Sequence, residues 1–83
     1  MENLLQIHSK LTFVGNLKSE VPEQIMSCKH LKADDCVLEF GGSCGRNSCV
    51  INTILENKTK HVVLEPSKRE LKNLKYNRDI NKL

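Results

Sequence analysis

Cys36-Val37-Leu38-Glu39-Phe40-Gly41-Gly42-Ser43-Cys44-Gly45 decides how the chain is read. The apolar run follows an Asp34-Asp35 pair and stops at two glycines, which suits a short strand covered on both faces, as in parallel sheets. Downstream, residues 47–57 carry Val50, Ile51, Ile54 and Leu55 at i, i+1, i+4 and i+5, the stripe of a helix laid on a sheet. His61-Val62-Val63-Leu64-Glu65 then repeats the form of the first strand, apolar residues followed by a glutamate, and Pro66 ends it. Ser67-Lys68-Arg69-Glu70 reads as a capping box, with Glu70 reaching back to Ser67, opening a helix whose apolar side is Leu71, Leu74 and Ile80. The order strand, helix, strand, helix predicts an α/β parallel sheet with a right-handed crossover.

Upstream, Val21-Pro22-Glu23-Gln24 opens another helix. Proline suits the first helical turn and Glu23 complements the helix dipole. Ile25, Met26, Cys28 or Lys29, and Leu31 give its stripe, and Lys32-Ala33-Asp34-Asp35 is a polar turn. Residues 4–14 fit neither period 2 nor period 3.6, so a short strand or turn is expected there, followed by a turn at Gly15-Asn16. Residues 1–20 read as an N-terminal extension and residues 21–83 as the α/β domain.

The 83 residues suffice for one small domain. Hydrophobic residues make up 39% and arrive in periodic clusters, so the chain is globular; aromatics at 4%, with no Trp, exclude a base-stacking platform for single-stranded nucleic acid. No apolar run approaches the roughly 18–20 residues that span a bilayer. The N-terminus lacks a basic flank before an apolar block, so a cytoplasmic location is expected. Cys28, Cys36, Cys44 and Cys49 form no Cys-x-x-Cys pair, and His8, His30 and His61 are not grouped with them; reduced, structural thiols are expected and no metal site. From Lys58 onward eight Lys/Arg face three Asp/Glu, which reads as the solvated side of an amphipathic helix rather than a nucleic-acid surface.

In an open parallel sheet, ligands sit beyond the carboxyl ends of the strands. The glycine loop and Glu65 both fall there, Glu65 lying 20 positions past Gly45. Glycines let a ligand approach the backbone, the following helix N-terminus offers N–H groups, and a carboxylate at the second strand's end can accept from both ribose hydroxyls. That combination points to an adenosine-type cofactor. The Gly-x-Gly-x-x-Gly dinucleotide pattern fails at Phe40, or at Ser43 and Arg46 when read from Gly41, and no Gly-Lys-Ser/Thr follows to make a P-loop.

Glu39-x-Gly41-x-x-x-Gly45 resembles motif I of class I S-adenosylmethionine-dependent methyltransferases, and the chain looks most like the FkbM-type family, which tends to have a polar residue where Ser43 stands. Arg46-Asn47-Ser48 is similar to the start of the family's first helix, Leu64-Glu65-Pro66 to its Glu-Pro, and the stretch from Leu74 to Asn81 to its Leu-x-x-Asn-x-x-x-Asn. The resemblance covers residues 36–81 and implies the first half of a Rossmann-like sheet, with S-adenosylmethionine as cofactor and O-methyl transfer to an unidentified acceptor. It implies a cofactor-binding set of Glu39, Gly41, Gly42, Cys44, Gly45, Asn47 and Glu65: Glu39 at the methionine end, the glycines under the methionine and ribose, Glu65 on the ribose hydroxyls, Cys44 and Asn47 lining the pocket. Asn77 and Asn81 are expected to be structural, bonding neighbouring backbone. No residue is a convincing general base or nucleophile, so no catalytic residue is assigned. Two strands would leave faces and edges uncovered, so a portion of a larger domain, self-association or a covering partner is expected. A non-catalytic interaction module and a portion of a nicotinamide-dependent enzyme are the alternatives.

Overall fold

The computed structural model describes residues 4–83. It is mixed α/β: helices α1 (Leu4–Lys10) and α2 (Val21–His30), strand β1 (Val37–Phe40), helix α3 (Arg46–Ile54), a 3-10 turn (Lys58–Lys60), strand β2 (His61–Leu64) and helix α4 (Lys68–Ile80). The strands pair in parallel, Val37 opposite His61 through Phe40 opposite Leu64, with α3 in the crossover. No helix among the described residues is long and apolar enough to cross a membrane.

Among the described residues the sheet is covered on one face only. Val37, Glu39, His61 and Val63 are half-buried, whereas Leu38, Phe40, Val62 and Leu64 are exposed, Phe40 by 75%. The expectation of strands covered on both faces is therefore corrected. An unbroken apolar run gives strands two apolar faces, but α3 and α4 pack on the same side, where Ser48 of α3 and Leu74 of α4 both lie within 3.0 Å of a Cβ built on Gly42.

The expected strand or turn near the N-terminus is a helix instead. Ile7 of α1 is fully buried with Cys28 and Val50, and Leu4 and Leu11 pack against them. Leu4, Ile7 and Leu11 hold helical spacing; the exposed Leu5 and the non-helical Phe13-Val14 obscured it. The segment called an extension thus contributes to the core.

In α2 the expected stripe is also displaced. Gln24, Ser27 and Cys28 are buried, while Ile25 and Met26 are about half exposed. The reason is hydrogen bonding. Gln24 Nε2 donates to the carbonyls of Leu17 (2.7 Å) and Ser19 (2.9 Å), and its Oε1 accepts from His8 Nε2. Ser27 Oγ donates to Asn47 Oδ1 at 2.8 Å, joining α2 to α3. A buried amide with its partners in place satisfies polar groups that water would otherwise satisfy.

Helix α4 uses the same device. Asn77 is fully buried; its Oδ1 accepts from Val14 N–H (2.8 Å), and its Nδ2 donates to the carbonyls of Cys44 (2.9 Å) and Val14 (3.3 Å). One turn on, Asn81 Oδ1 accepts from Thr12 N–H and its Nδ2 donates to Thr12 O, each at 2.7 Å. The two amides hold the 12–14 segment as a neighbouring strand would. Asn77 and Asn81 are structural as expected; Asn81 Nδ2 also donates to Asn77 O one turn back at 2.7 Å, while the other partners are distant in sequence. Only half of the expected capping box forms. Ser67 Oγ accepts from Glu70 N–H at 3.3 Å, whereas Ser67 N–H donates to Glu65 Oε2 and Glu70 turns to Ser43 Oγ.

Replacing Asn77 by Ala strands the buried Cys44 carbonyl and leaves the part-buried Val14 N–H without its partner. Each unpaired buried group costs about 1–3 kcal/mol, so urea unfolding of Asn77→Ala should show a loss of roughly 2–4 kcal/mol. Asn81→Ala, at a more exposed position, should lose about 1 kcal/mol.

Candidate functional site

The glycine loop leaves β1 between the two strand ends. Gly41 N–H donates to Leu64 O at 2.7 Å, one step beyond the paired Phe40 and Leu64. Gly42 lies against β2 and α4: a Cβ there would sit 2.3 Å from Val63 Cγ1 and 2.7 Å from Leu74 Cδ1. Only glycine permits that approach, so Gly42 has a packing reason to be there. Gly45 stands before α3 at φ 99°, and its N–H donates to Gly42 O at 3.0 Å. Residues 41–45 therefore form a tight turn delivering the chain into α3.

Ser43, at the apex, is left-handed at φ 54°, which costs a non-glycine residue about 1 kcal/mol. Two acids hold it. Its N–H donates to Glu65 Oε1 (2.7 Å) and its Oγ to Glu70 Oε2 (3.1 Å). Glu65 Oε2 accepts from Ser67 N–H at 2.8 Å, so one carboxylate ties the loop after β1 to the loop after β2. These are charge-assisted contacts, stronger than neutral ones. A carboxylate offers about four lone-pair sites, so two amide partners leave Glu65 capacity for hydroxyl donors. Of the sequence-derived set, Gly41, Gly42, Gly45 and Glu65 come together here.

The other three are engaged in the scaffold. Glu39 faces the helix layer, where its Oε1 accepts from Ser48 Oγ (2.7 Å) and His61 Nε2 (3.1 Å). The His61 side chain is nearly buried. Asn52 Nδ2 lies 3.0 Å from His61 Nδ1; with the amide donating, the ring proton sits on Nε2, facing Glu39. Ser48, Glu39, His61 and Asn52 thus make one interior polar chain. Strand alternation already placed His61 on the face of Glu39, and that was the signal available for it. Asn47 accepts from Ser27, and Cys44 is buried with its carbonyl held by Asn77.

Cys28, Cys44 and Cys49 are buried and Cys36 is exposed; none is in a disulfide. Among the described residues no group of His, Cys, Asp and Glu could hold a metal ion. The Cys49 thiol is pushed up from 9.0 to about 12, first by burial and then by the neighbouring Cys44 and Glu39, so it is a protonated packing group and a poor nucleophile.

A raised folded-state pKa means that the native state keeps a proton the unfolded state releases. The contribution is intact below about pH 9 and is lost as pH rises towards 12. Urea midpoints measured from pH 8 to 11 should fall with pH, and less steeply in Cys49→Ala than in the parent.

The chain matches no family model, no curated protein and no solved structure.

Proposed function

We propose that the 41–45 loop and Glu65 bind S-adenosylmethionine, and that the β1-α3-β2-α4 unit is the first half of a Rossmann-like methyltransferase domain. One observation carries the reading: a glycine loop and an acid meet at the carboxyl ends of adjacent parallel strands, joined by the 2.7 Å contact between Ser43 N–H and Glu65 Oε1. That is where open α/β sheets take nucleotide ligands. In this reading Glu65 accepts from the ribose hydroxyls while the loop backbone passes beneath the ribose and methionine portion. The bare sheet face gives further support, because doubly wound sheets carry helices on both faces. The resemblance to FkbM-type enzymes extends the reading to O-methyl transfer onto an acceptor whose class no residue of this chain specifies.

A second reading is favoured by the self-satisfaction of Glu65. Both its oxygens already hold backbone amides, as in a loop whose acid serves architecture alone. The unit would then be a non-catalytic interaction module.

Calorimetric titration of the 83-residue chain with S-adenosylhomocysteine separates the two. Saturable binding weakened tenfold or more in Glu65→Ala, about 1.4 kcal/mol, is the expected result. A chain that is folded by circular dichroism yet ignores millimolar ligand supports the module, and binding of NAD alone overturns the methyl-donor reading.

A further inference from the structure

A cavity lies on the covered side of the sheet, between α3 and α4, with a volume of about 290 Å³. Among the described residues its lining includes none of the 41–45 loop, and neither Glu65 nor any other acid. Its floor is apolar: Val63, Leu71 and Leu74, of which Leu74 is buried. Lys58, Lys75 and Arg78, all exposed, line its open side. Lys58 is fixed there, its Nζ donating to the carbonyls of Asn52 (2.5 Å) and Thr53 (3.4 Å). Arg78 is paired with Asp79, outside the lining: its Nε donates to Asp79 Oδ1 at 2.9 Å and its Nη2 lies 2.8 Å from the same oxygen, so part of its charge is already balanced.

Asn52 marks the polar wall. The residue is more than nine-tenths buried, and its Oδ1 has no hydrogen-bond partner among the described residues. Buried acceptors are paired in the great majority of cases, so this one is an exception, and with almost no accessible surface it lies behind the wall rather than open to the cavity. The cleft therefore combines an apolar floor, cationic side chains at the opening and polar groups on one side. Concave sites that are mostly apolar with a few convergent polar groups are where small ligands bind.

We propose that this cleft binds a small phosphate monoester with an apolar body. Arginine and lysine hold the phosphoryl oxygens, and the body lies on Val63, Leu71 and Leu74. The cavity has room for a ring and its phosphate and not for a dinucleotide. The site is independent of the methyl-donor reading, since it shares no residue with the loop or Glu65.

The test is a nuclear magnetic resonance titration of the ¹⁵N-labelled chain at constant ionic strength, with phenyl phosphate, inorganic phosphate and phenol as probes. Phenyl phosphate should give saturable shifts at Ser48, Asn52 and Lys75 and bind at least fivefold tighter than either other probe. The double variant Lys75→Gln/Arg78→Gln should weaken it at least tenfold, whereas Lys72→Gln, exposed on α4 outside the lining, should change it less than twofold. Both variants replace exposed side chains, and circular dichroism checks their fold. Equal losses in the two variants, or shifts that rise linearly and spread along α4, would overturn the proposal.

Discussion

The Asn77 amide is the contact on which the rest of the molecule depends. Fully buried on α4, it joins three places that sequence separates: the Val14 backbone, the Cys44 carbonyl in the glycine loop and the helix itself. A chain with a thin core and one bare sheet face has little apolar burial to spare. Directional polar contacts take over part of the task of fixing one arrangement. Gln24 performs the same service between α1, α2 and the turn before it, and Asn81 doubles the hold on Thr12. Left half-satisfied, such groups would disfavour the fold.

That reliance on amides explains which parts were legible in the sequence. The strand, loop, helix, strand, helix order could be read because punctuation and periodicity agree there: the glycines after Phe40, the Val50 stripe, Pro66 and the Ser67 cap. The N-terminal helix escaped because Leu5 breaks its stripe. The buried face of α2 escaped because apolar patterning looks past Gln24 and Ser27, the residues that face inward. The sheet misled in the opposite direction: its strands are apolar on both sides, yet Leu38, Phe40, Val62 and Leu64 meet no helix.

The candidate site was legible to a similar degree. Spacing brought the 41–45 loop and Glu65 to the same strand ends, and they touch. Motif position could not say which way Glu39 faces. In parallel register it shares a face with His61, and there it joins Ser48 and His61 under α3. Nor could a local capping pattern foresee that Glu65 would take the Ser67 amide and release Glu70 to the loop. That exchange makes the glycine loop, Glu65 and the start of α4 a single unit.

That unit is what the proposed cofactor would engage, so the most direct measurement is the Ser43 amide resonance during addition of S-adenosylhomocysteine. Without ligand the proton should lie downfield and exchange slowly, as expected for an N–H on the Glu65 carboxylate. With ligand it should shift saturably together with the Ser67 amide. A Ser43 resonance unmoved at millimolar ligand, in a chain whose other amides show it folded, would contradict the claim.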